Sequence, residues 1–191
     1  MSSSTNGKKS LLKKLLFVFV PIFAAGIIFA GLFNMGLTAT NEMEFCTSCH
    51  TMVINYDEYI DTPHGKSPSG VRATCSDCHV PKQFFPKMLM KIMAAKDVYH
   101  EILGTIDTPE KYEAARWKMA NRVWDKMKAN DSRECRSCHS YENMDLAEQD
   151  RSARRKHGNA TDKGKTCIDC HKGIAHEEPD EPDEAEETAS E

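Results

Sequence analysis

Four short segments of the chain combine two cysteines and a histidine at one fixed spacing. Each has the form Cys-x-x-Cys-His, and in chain order they are motif I (Cys46, Cys49, His50), motif II (Cys75, Cys78, His79), motif III (Cys135, Cys138, His139) and motif IV (Cys167, Cys170, His171). Two thiols at this spacing can add to the vinyl groups of a porphyrin while the adjacent imidazole binds the iron. The pattern therefore predicts four covalently bound haems c.

Paired cysteines have two other common uses in proteins. Two Cys-x-x-Cys pairs can build a tetrahedral zinc site, and cysteines in an oxidising compartment form disulfides. Neither use requires a histidine directly after the second cysteine, whereas all four motifs have one. The histidines therefore favour haem attachment.

Low-spin haem iron takes two axial ligands, so four haems need more ligands than the motif histidines supply. His64-Gly65 lies between motifs I and II, and His157-Gly158 lies between motifs III and IV. These equivalent positions predict a duplicated two-haem module, with His64 and His157 as further iron ligands. His176, five residues after His171, is expected to bind the iron of a neighbouring haem.

Motif I continues into Thr51 and Met52. A thioether there could replace or rival His50 on the iron, and an axial methionine raises the reduction potential relative to two histidines. Methionine also commonly fills gaps in apolar cores. Chemistry alone leaves both readings of Met52 open.

The segment from residue 83 to 103 is apolar for a water-soluble domain, and it is interspersed with lysines. Such a helix could rest at a bilayer boundary while its lysines reach the headgroups, or it could pack on haem faces. Asp97 shares a helical face with Met90, Met93 and His100. A carboxylate in a methionine stripe can serve as a proton acceptor.

A stretch without charge follows Lys13 and Lys14 and runs from Leu15 to Phe33, with no further charge before Glu42. This length suffices for a transmembrane helix. The lysines before it predict a cytoplasmic N-terminus. The alternative of a cleaved signal peptide is disfavoured because the apolar run is long and no Ala-x-Ala site follows it closely.

The C-terminal residues 177–191 contain nine acidic residues and no basic one. Such a composition predicts a disordered tail. The formal net charge of −4 includes this tail, so the rest of the chain is basic overall.

The expected fold is mainly α, with a single N-terminal transmembrane helix and a small multihaem cytochrome c domain that has little regular β structure. The expected boundaries are a cytoplasmic segment at 1–14, a transmembrane helix at 15–37, a periplasmic tetrahaem domain at 41–176 and the tail. Within that domain, modules at 41–82 and 131–176 are joined by helices at 83–130, the second of which starts with Thr108 as N-cap.

The sequence closely resembles the NapC/NirT family of tetrahaem quinol dehydrogenases. The resemblance covers nearly everything from Asn41 to His176. It is carried by the Cys-x-x-Cys-His-Thr-Met start and by the runs at 70–75, 78–81, 106–109 and 170–176.

This resemblance implies oxidation of membrane quinol and transfer of single electrons to a periplasmic reductase, most often of nitrate and next of nitrite. In relatives the methionine matching Met52 binds the first haem iron beside the quinol site, with an acidic residue matching Asp97 nearby. A lysine also belongs to that site, and Lys91 is the closest match, within one residue of register. Other relatives use two histidines on every haem, in which case His100 supplies the extra ligand.

We therefore expect a quinol dehydrogenase with Asp97 as proton acceptor and Lys91 as a partner of the quinol oxygen. Its expected partners are the menaquinol or ubiquinol pool, the bilayer of the bacterial inner membrane and the periplasmic reductase. A homodimer is compatible with the sequence, and no nucleic acid is expected. The rival functions are an electron-carrier subunit that another protein reduces and a zinc-binding interaction module.

Overall fold

A computed structural model describes residues 4–182, with side chains from residue 12 onward. Most of the predicted acidic tail, residues 183–191, lies outside the described residues. The chain divides into two compact units, Met1–Asn41 and Glu42–Glu191.

The first unit is one helix, α1 (Ser4–Ala39). Its apolar stretch Leu12–Ala39 comprises 28 residues with a mean hydropathy of 2.6, and none of it is buried against protein. At about 1.5 Å per residue this stretch exceeds the roughly 30 Å hydrocarbon core of a bilayer. The helix is therefore long and apolar enough to cross a membrane.

The second unit contains helices of very unequal length. The short ones are α2 (Met43–Cys46), α3 (Met52–Ile60), α4 (Cys75–His79), α7 (Arg133–Arg136) and α8 (Arg151–Gly158), and the long ones are α5 (Phe84–Ile102) and α6 (Pro109–Ala129). Two 3₁₀ helices, Tyr141–Asn143 and Cys167–Asp169, complete the unit. Between residues 4 and 182 there is no β strand. The predicted fold class, mainly α with one N-terminal apolar helix, is confirmed.

Motifs II and IV start with the same local structure. The Asp77 carboxylate accepts hydrogen bonds from the Thr74 amide at 2.9 Å and the Thr74 hydroxyl at 2.8 Å. Asp169 accepts the equivalent bonds from Thr166 at 2.8 and 3.0 Å. These caps fix the first turn of each motif, because they satisfy amide groups that have no partner in the helix. Duplication of the whole two-haem module stays a prediction.

Thr108 and Pro109 mark the start of the long helix α6. Thr108 is the N-cap, as predicted, and its hydroxyl oxygen accepts a hydrogen bond from the Lys111 amide at 3.3 Å. Pro109 occupies the first turn, where a missing amide hydrogen costs nothing. The helix carries Tyr112, Arg116 and Trp124 into the interior.

The apolar core of the second unit is small. Its buried apolar residues among those described are Met43, Tyr59, Pro81, Tyr112, Trp124, Ala160 and Ile168. A polar clamp adds to this core: Arg116 on α6 donates to the Glu58 carboxylate of α3 at 2.5 Å and to the Glu177 carbonyl at 3.0 Å. Glu58 in turn accepts from the Glu177 amide at 2.9 Å. The clamp thus ties the residue after His176 to two helices.

Candidate haem centres and the cluster at motif I

Three of the four motif histidines face a second histidine, with similar distances between the two ring centroids in each pair. The ring centroids of His64 and His139 are 6.1 Å apart, those of His79 and His176 are 6.2 Å apart, and those of His157 and His171 are 5.9 Å apart. Each pair joins one motif histidine to one of the histidines outside the motifs. The structure therefore brings together all three predicted further ligands with a motif histidine.

The separation within these pairs agrees with ligation of one metal ion by both rings. Two imidazoles on opposite sides of one ion, each with its nitrogen about 2 Å from the metal, place their ring centroids about 6 Å apart. Two members of the pairs also have a buried Nδ1 without a hydrogen-bond partner, His64 and His176. Buried polar atoms are rarely left unpaired. The residues therefore fit two-histidine ligation of haem iron at motifs II, III and IV.

The charge state of His176 suits the same role. Burial lowers its pKa, while Glu58 acts in the opposite direction. A neutral imidazole is the form that binds a metal ion. His176 is also held in place by the clamp, since Glu177 is bonded to both Arg116 and Glu58.

His64 and His157 are positioned by their own local contacts. The Tyr59 hydroxyl donates to the His64 carbonyl at 3.2 Å and also to the Ala73 carbonyl. Gly65 follows His64 because a Cβ at this position would overlap the Tyr59 carbonyl oxygen. His157 lies on α8, where its Nδ1 is 2.7 Å from the Gln149 side-chain oxygen. Such a partner fixes the orientation of a ring that ligates through its other nitrogen.

Motif I differs from the other three. The Nε2 atom of His50 lies 2.5 Å from the Asp107 carbonyl oxygen, a hydrogen bond rather than an approach to a second histidine. Met52 begins α3, is 38% exposed, and has its sulfur 3.8 Å from the Asn55 side-chain nitrogen. The two candidate ligands of the first haem therefore have different surroundings, and Met52 is the less constrained.

His100, the other candidate ligand for this haem, lies near the C-terminal end of α5. Its Nδ1 is 3.4 Å from the Thr105 hydroxyl, and its side chain is exposed. It is not paired with a second imidazole.

Lys91 lies close to motif I. Burial lowers the pKa of Lys91, and the charge of the Cys46 thiolate partly offsets this. The Cys75 thiol, by hydrogen bonding to Cys46, lowers the pKa of Cys46 to about 7, with a smaller contribution from Lys91. Lys91 therefore lies within electrostatic range of Cys46 in the first haem-attachment motif.

Asp97 is exposed on α5, in a helix that has no buried residue. In a helix with 3.6 residues per turn, Asp97 and Lys91 point in directions about 120° apart. They do not meet directly. Asp97 instead shares a face with Glu101, four residues later.

Glu101 was missed by sequence reasoning. One of its carboxylate oxygens lies 3.5 Å from His50 Nδ1, and the other accepts a hydrogen bond from the Thr51 hydroxyl at 3.1 Å. Its side chain is only 16% exposed. The spacing of Glu101 from Asp97 was a signal in the sequence, but its contact with motif I comes from tertiary structure.

The cysteines of successive motifs are neighbours. Cys46 is hydrogen-bonded to Cys75, Cys78 lies within electrostatic range of Cys138, and Cys135 lies within range of Cys167. Burial, followed by the effect of Cys167, raises the pKa of Cys135 to about 11. All eight cysteines are free of disulfide bonds. The motifs therefore form a continuous series in the order I, II, III, IV.

Comparisons with known proteins identify the family of this chain. Residues 8–181 match the family model described as the NapC/NirT cytochrome c family, N-terminal region. A putative tetraheme cytochrome c-type protein of Allochromatium vinosum is 62% identical over 86% of this chain and 89% of its own length. The cytochrome c-type protein NapC of Escherichia coli K12 is 53% identical over 83% of this chain and 80% of its own.

A third relative, the denitrification system component NirT of Stutzerimonas stutzeri, is 51% identical over 85% of this chain and 82% of its own length. No solved structure matches the chain significantly. The family match covers nearly the whole chain, and the three alignments span most of the length of each relative. The chain therefore belongs to the NapC/NirT cytochrome c family, as a membrane-anchored electron-transfer protein with covalently bound haem c.

Proposed function

We propose that this protein oxidises membrane quinol and passes the electrons through four haems c to a periplasmic reductase. The observation that carries the proposal is the contact of α5 with motif I through Glu101, on a helix whose apolar side chains are exposed and whose Lys91 lies within electrostatic range of Cys46. A lipophilic substrate and a redox centre can meet there. The orientation with the N-terminus in the cytoplasm follows from Lys13 and Lys14 before the apolar stretch.

The haems in this proposal are attached through the eight motif cysteines. The pairs His139 with His64, His79 with His176, and His171 with His157 would hold three of the haem irons. When bound, the haems supply one-electron redox chemistry, with potentials set by ligands, charge and burial. The order of the motifs gives the route of the electrons, from motif I to motif IV.

The first haem has three candidate protein ligands, His50, Met52 and His100. The hydrogen bond from His50 to the Asp107 carbonyl supports Met52, whose thioether would also raise the reduction potential. A higher potential favours acceptance of electrons from quinol. Loss of a sulfur-to-iron charge-transfer absorption in Met52→Leu would establish this ligand, and an unchanged spectrum would contradict it.

Quinol oxidation releases two electrons and two protons, whereas each haem iron accepts one electron. The site must therefore hold the quinol ring and take up its protons. The Lys91 ammonium can donate to a quinol oxygen, and the Asp97 carboxylate can accept a proton and release it to the water that surrounds it. Since the two residues point in different directions on α5, quinol would contact them along its length or one after the other.

The terminal acceptor in this proposal is a periplasmic nitrate reductase, with nitrite reductase second. The name of the Stutzerimonas relative, a denitrification system component, supports reduction of nitrogen oxides. The alternative function, an electron carrier reduced by another protein, would use the same haem ligands. It would not need Lys91 or Asp97.

The decisive experiment replaces Asp97 with Asn in the haem-loaded, membrane-embedded protein and follows haem reduction by menaquinol and ubiquinol analogues. We expect the rate to fall at least about 100-fold, the usual range for loss of a general base, while the haem spectrum is retained. Asp125→Asn, an exposed carboxylate on α6, is the matched control and should react like the wild type. An unchanged rate in Asp97→Asn would refute the role of Asp97, and no reduction of the wild type by either quinol would favour the carrier function.

A further inference from the structure

We infer that the outer face of α8 and the loop after it form the docking surface for an acidic electron-accepting protein. This inference rests on the proposed function, because it assigns the place where the electrons leave. The surface, called the basic face below, consists of Arg151, Arg155, Lys163 and Lys165. Residues 151–165 contain six basic residues and only one acidic residue, Asp162.

The basic face points away from the interior. Ala153 and His157 lie on the inner side of α8 and are partly buried, followed by the buried Ala160. Arg151 and Arg155, four residues apart, lie on the opposite side and are exposed. The backbone amides of Lys163 and Lys165 donate to the Asn159 and Ala160 carbonyls at 3.2 and 2.9 Å. These bonds hold the loop against the end of α8.

The positive charge of this surface is not neutralised within the domain. Across the described side chains, none of the four basic-face residues takes part in an ion pair. Two nearby carboxylates are engaged elsewhere: Asp150 accepts from the Ser152 and Ala153 amides at 2.8 and 3.0 Å, and Asp169 pairs with Lys128 at 3.2 Å. Asp162 is the one acidic residue within 151–165, against six basic residues. The charge is therefore available to a negatively charged partner.

The basic face lies next to the candidate haem centre at motif IV, the last in the series of motifs. His157, on the inner side of α8, is the candidate second ligand at motif IV, with its ring centroid 5.9 Å from that of His171. A partner that contacts Arg151 and Arg155 would sit one helix diameter, about 10 Å, from this centre. Electron-transfer complexes have small, weak interfaces, so charge rather than buried area brings the partners together.

A protein fits this surface better than a membrane does. A helix that lies on a bilayer inserts an apolar face below its basic residues. The largest apolar side chain of α8 is the methyl group of Ala153. The helix therefore has nothing to insert, and its charges suit the acidic surface of a water-soluble protein.

The test uses the full-length, haem-loaded protein in phosphatidylcholine nanodiscs, reduced beforehand with stoichiometric dithionite so that the quinol step is bypassed. The variant is Arg151→Gln with Arg155→Gln. The matched control is Lys118→Gln with Arg122→Gln, two exposed residues at the same spacing on α6, which change the net charge equally. Stopped-flow absorbance follows oxidation by periplasmic nitrate reductase and, separately, by ferricyanide.

At low ionic strength we expect the α8 variant to be oxidised about tenfold more slowly than the wild type by the reductase, with a smaller decrease for the ferricyanide anion. The difference should disappear at high salt, and the control should match the wild type throughout. Equal rates for the two double variants with both oxidants would overturn the inference. If the reductase oxidises neither protein, that reductase is not the partner, and the ferricyanide comparison still decides whether the basic face attracts an anion to the exit centre.

Two further outcomes would assign the surface to another occupant and overturn the inference. One is protection of the α8 amides from hydrogen exchange in phosphatidylglycerol nanodiscs but not in phosphatidylcholine nanodiscs. The other is an α8 variant that reacts faster than the wild type only while residues 183–191 are present. This second result would show that the acidic tail itself covers α8. Quinol reduction of the α8 variant should be unchanged, so a failure here leaves the proposed quinol oxidation standing.

Discussion

α5 and α8 are both exposed helices beside a haem-attachment motif, but they expose opposite kinds of side chain. On α5, Ile92 is 70% and Ile102 is 78% exposed, and the helix lies along motif I through Lys91 and Glu101. On α8, the exposed residues include three arginines and a lysine, and the helix contacts motif IV through His157. Identical attachment chemistry thus has apolar surroundings at one end of the series and positively charged surroundings at the other.

The difference shows how a chain of similar redox centres can have a direction. In the proposed function, a lipophilic donor would partition to the apolar end, and a charged protein acceptor would be attracted to the basic end. The neighbouring helices can therefore determine which partner reaches each haem. The following predictions test this division, starting with the largest expected effect.

Ionic strength should affect the two ends differently. Raising the salt concentration shortens the Debye length to a few ångströms, so we expect transfer to a protein acceptor to slow by about tenfold or more. Reduction by a neutral quinol analogue should change little. Stopped-flow measurement of each half-reaction over a salt series checks this, and equal salt dependence of the two halves would break the comparison.

Polar substitutions on the outer face of α5 should weaken quinol binding. Leu89→Gln with Ile92→Gln removes apolar surface, so we expect the KM for a long-chain quinol to rise several-fold, on the order of 1 kcal/mol. The kcat value should be retained. Lys96→Gln on the same helix is the control, and an effect confined to the acceptor half-reaction would show that α5 does not receive the donor.

Glu101 should influence the first haem alone. Its carboxylate lies beside His50 and Thr51, and a negative charge stabilises oxidised iron. Glu101→Gln should therefore raise one midpoint potential by on the order of tens of mV. Spectroelectrochemical titration would show this shift, whereas Glu110→Gln, exposed at the start of α6, should leave all the potentials in place. A shift of the haem at motif IV instead would be inconsistent with the position of Glu101.

The sequence was sufficient for features that depend on local chemistry. The motifs, the Thr108 cap and the apolar character of α5 could all be read from neighbouring residues. Spacing also identified His64, His157 and His176 as candidate iron ligands. It could not say which motif each would face, because that depends on contacts between segments far apart in the chain.

The residues that hold His176 in place could not be identified from the sequence either. Arg116 and Glu58 form a nearly buried ion pair, with side chains 10% and 13% exposed. In the sequence each looks like an ordinary charged residue on an amphipathic helix. Removing one partner of such a pair leaves an uncompensated buried charge. Its importance can therefore be seen only when α3, α6 and Glu177 are brought together.

The histidine pairs have a consequence for how the protein can be divided. His64 comes from the first half of the chain and faces His139 of the second, while His176 of the second half faces His79 of the first. The two halves exchange histidines reciprocally, so neither contains a complete set. A polypeptide cut between Ile102 and Pro109 would yield fragments that must reassociate before two of their iron centres could mature. Both halves of the chain are therefore needed to complete these two histidine pairs.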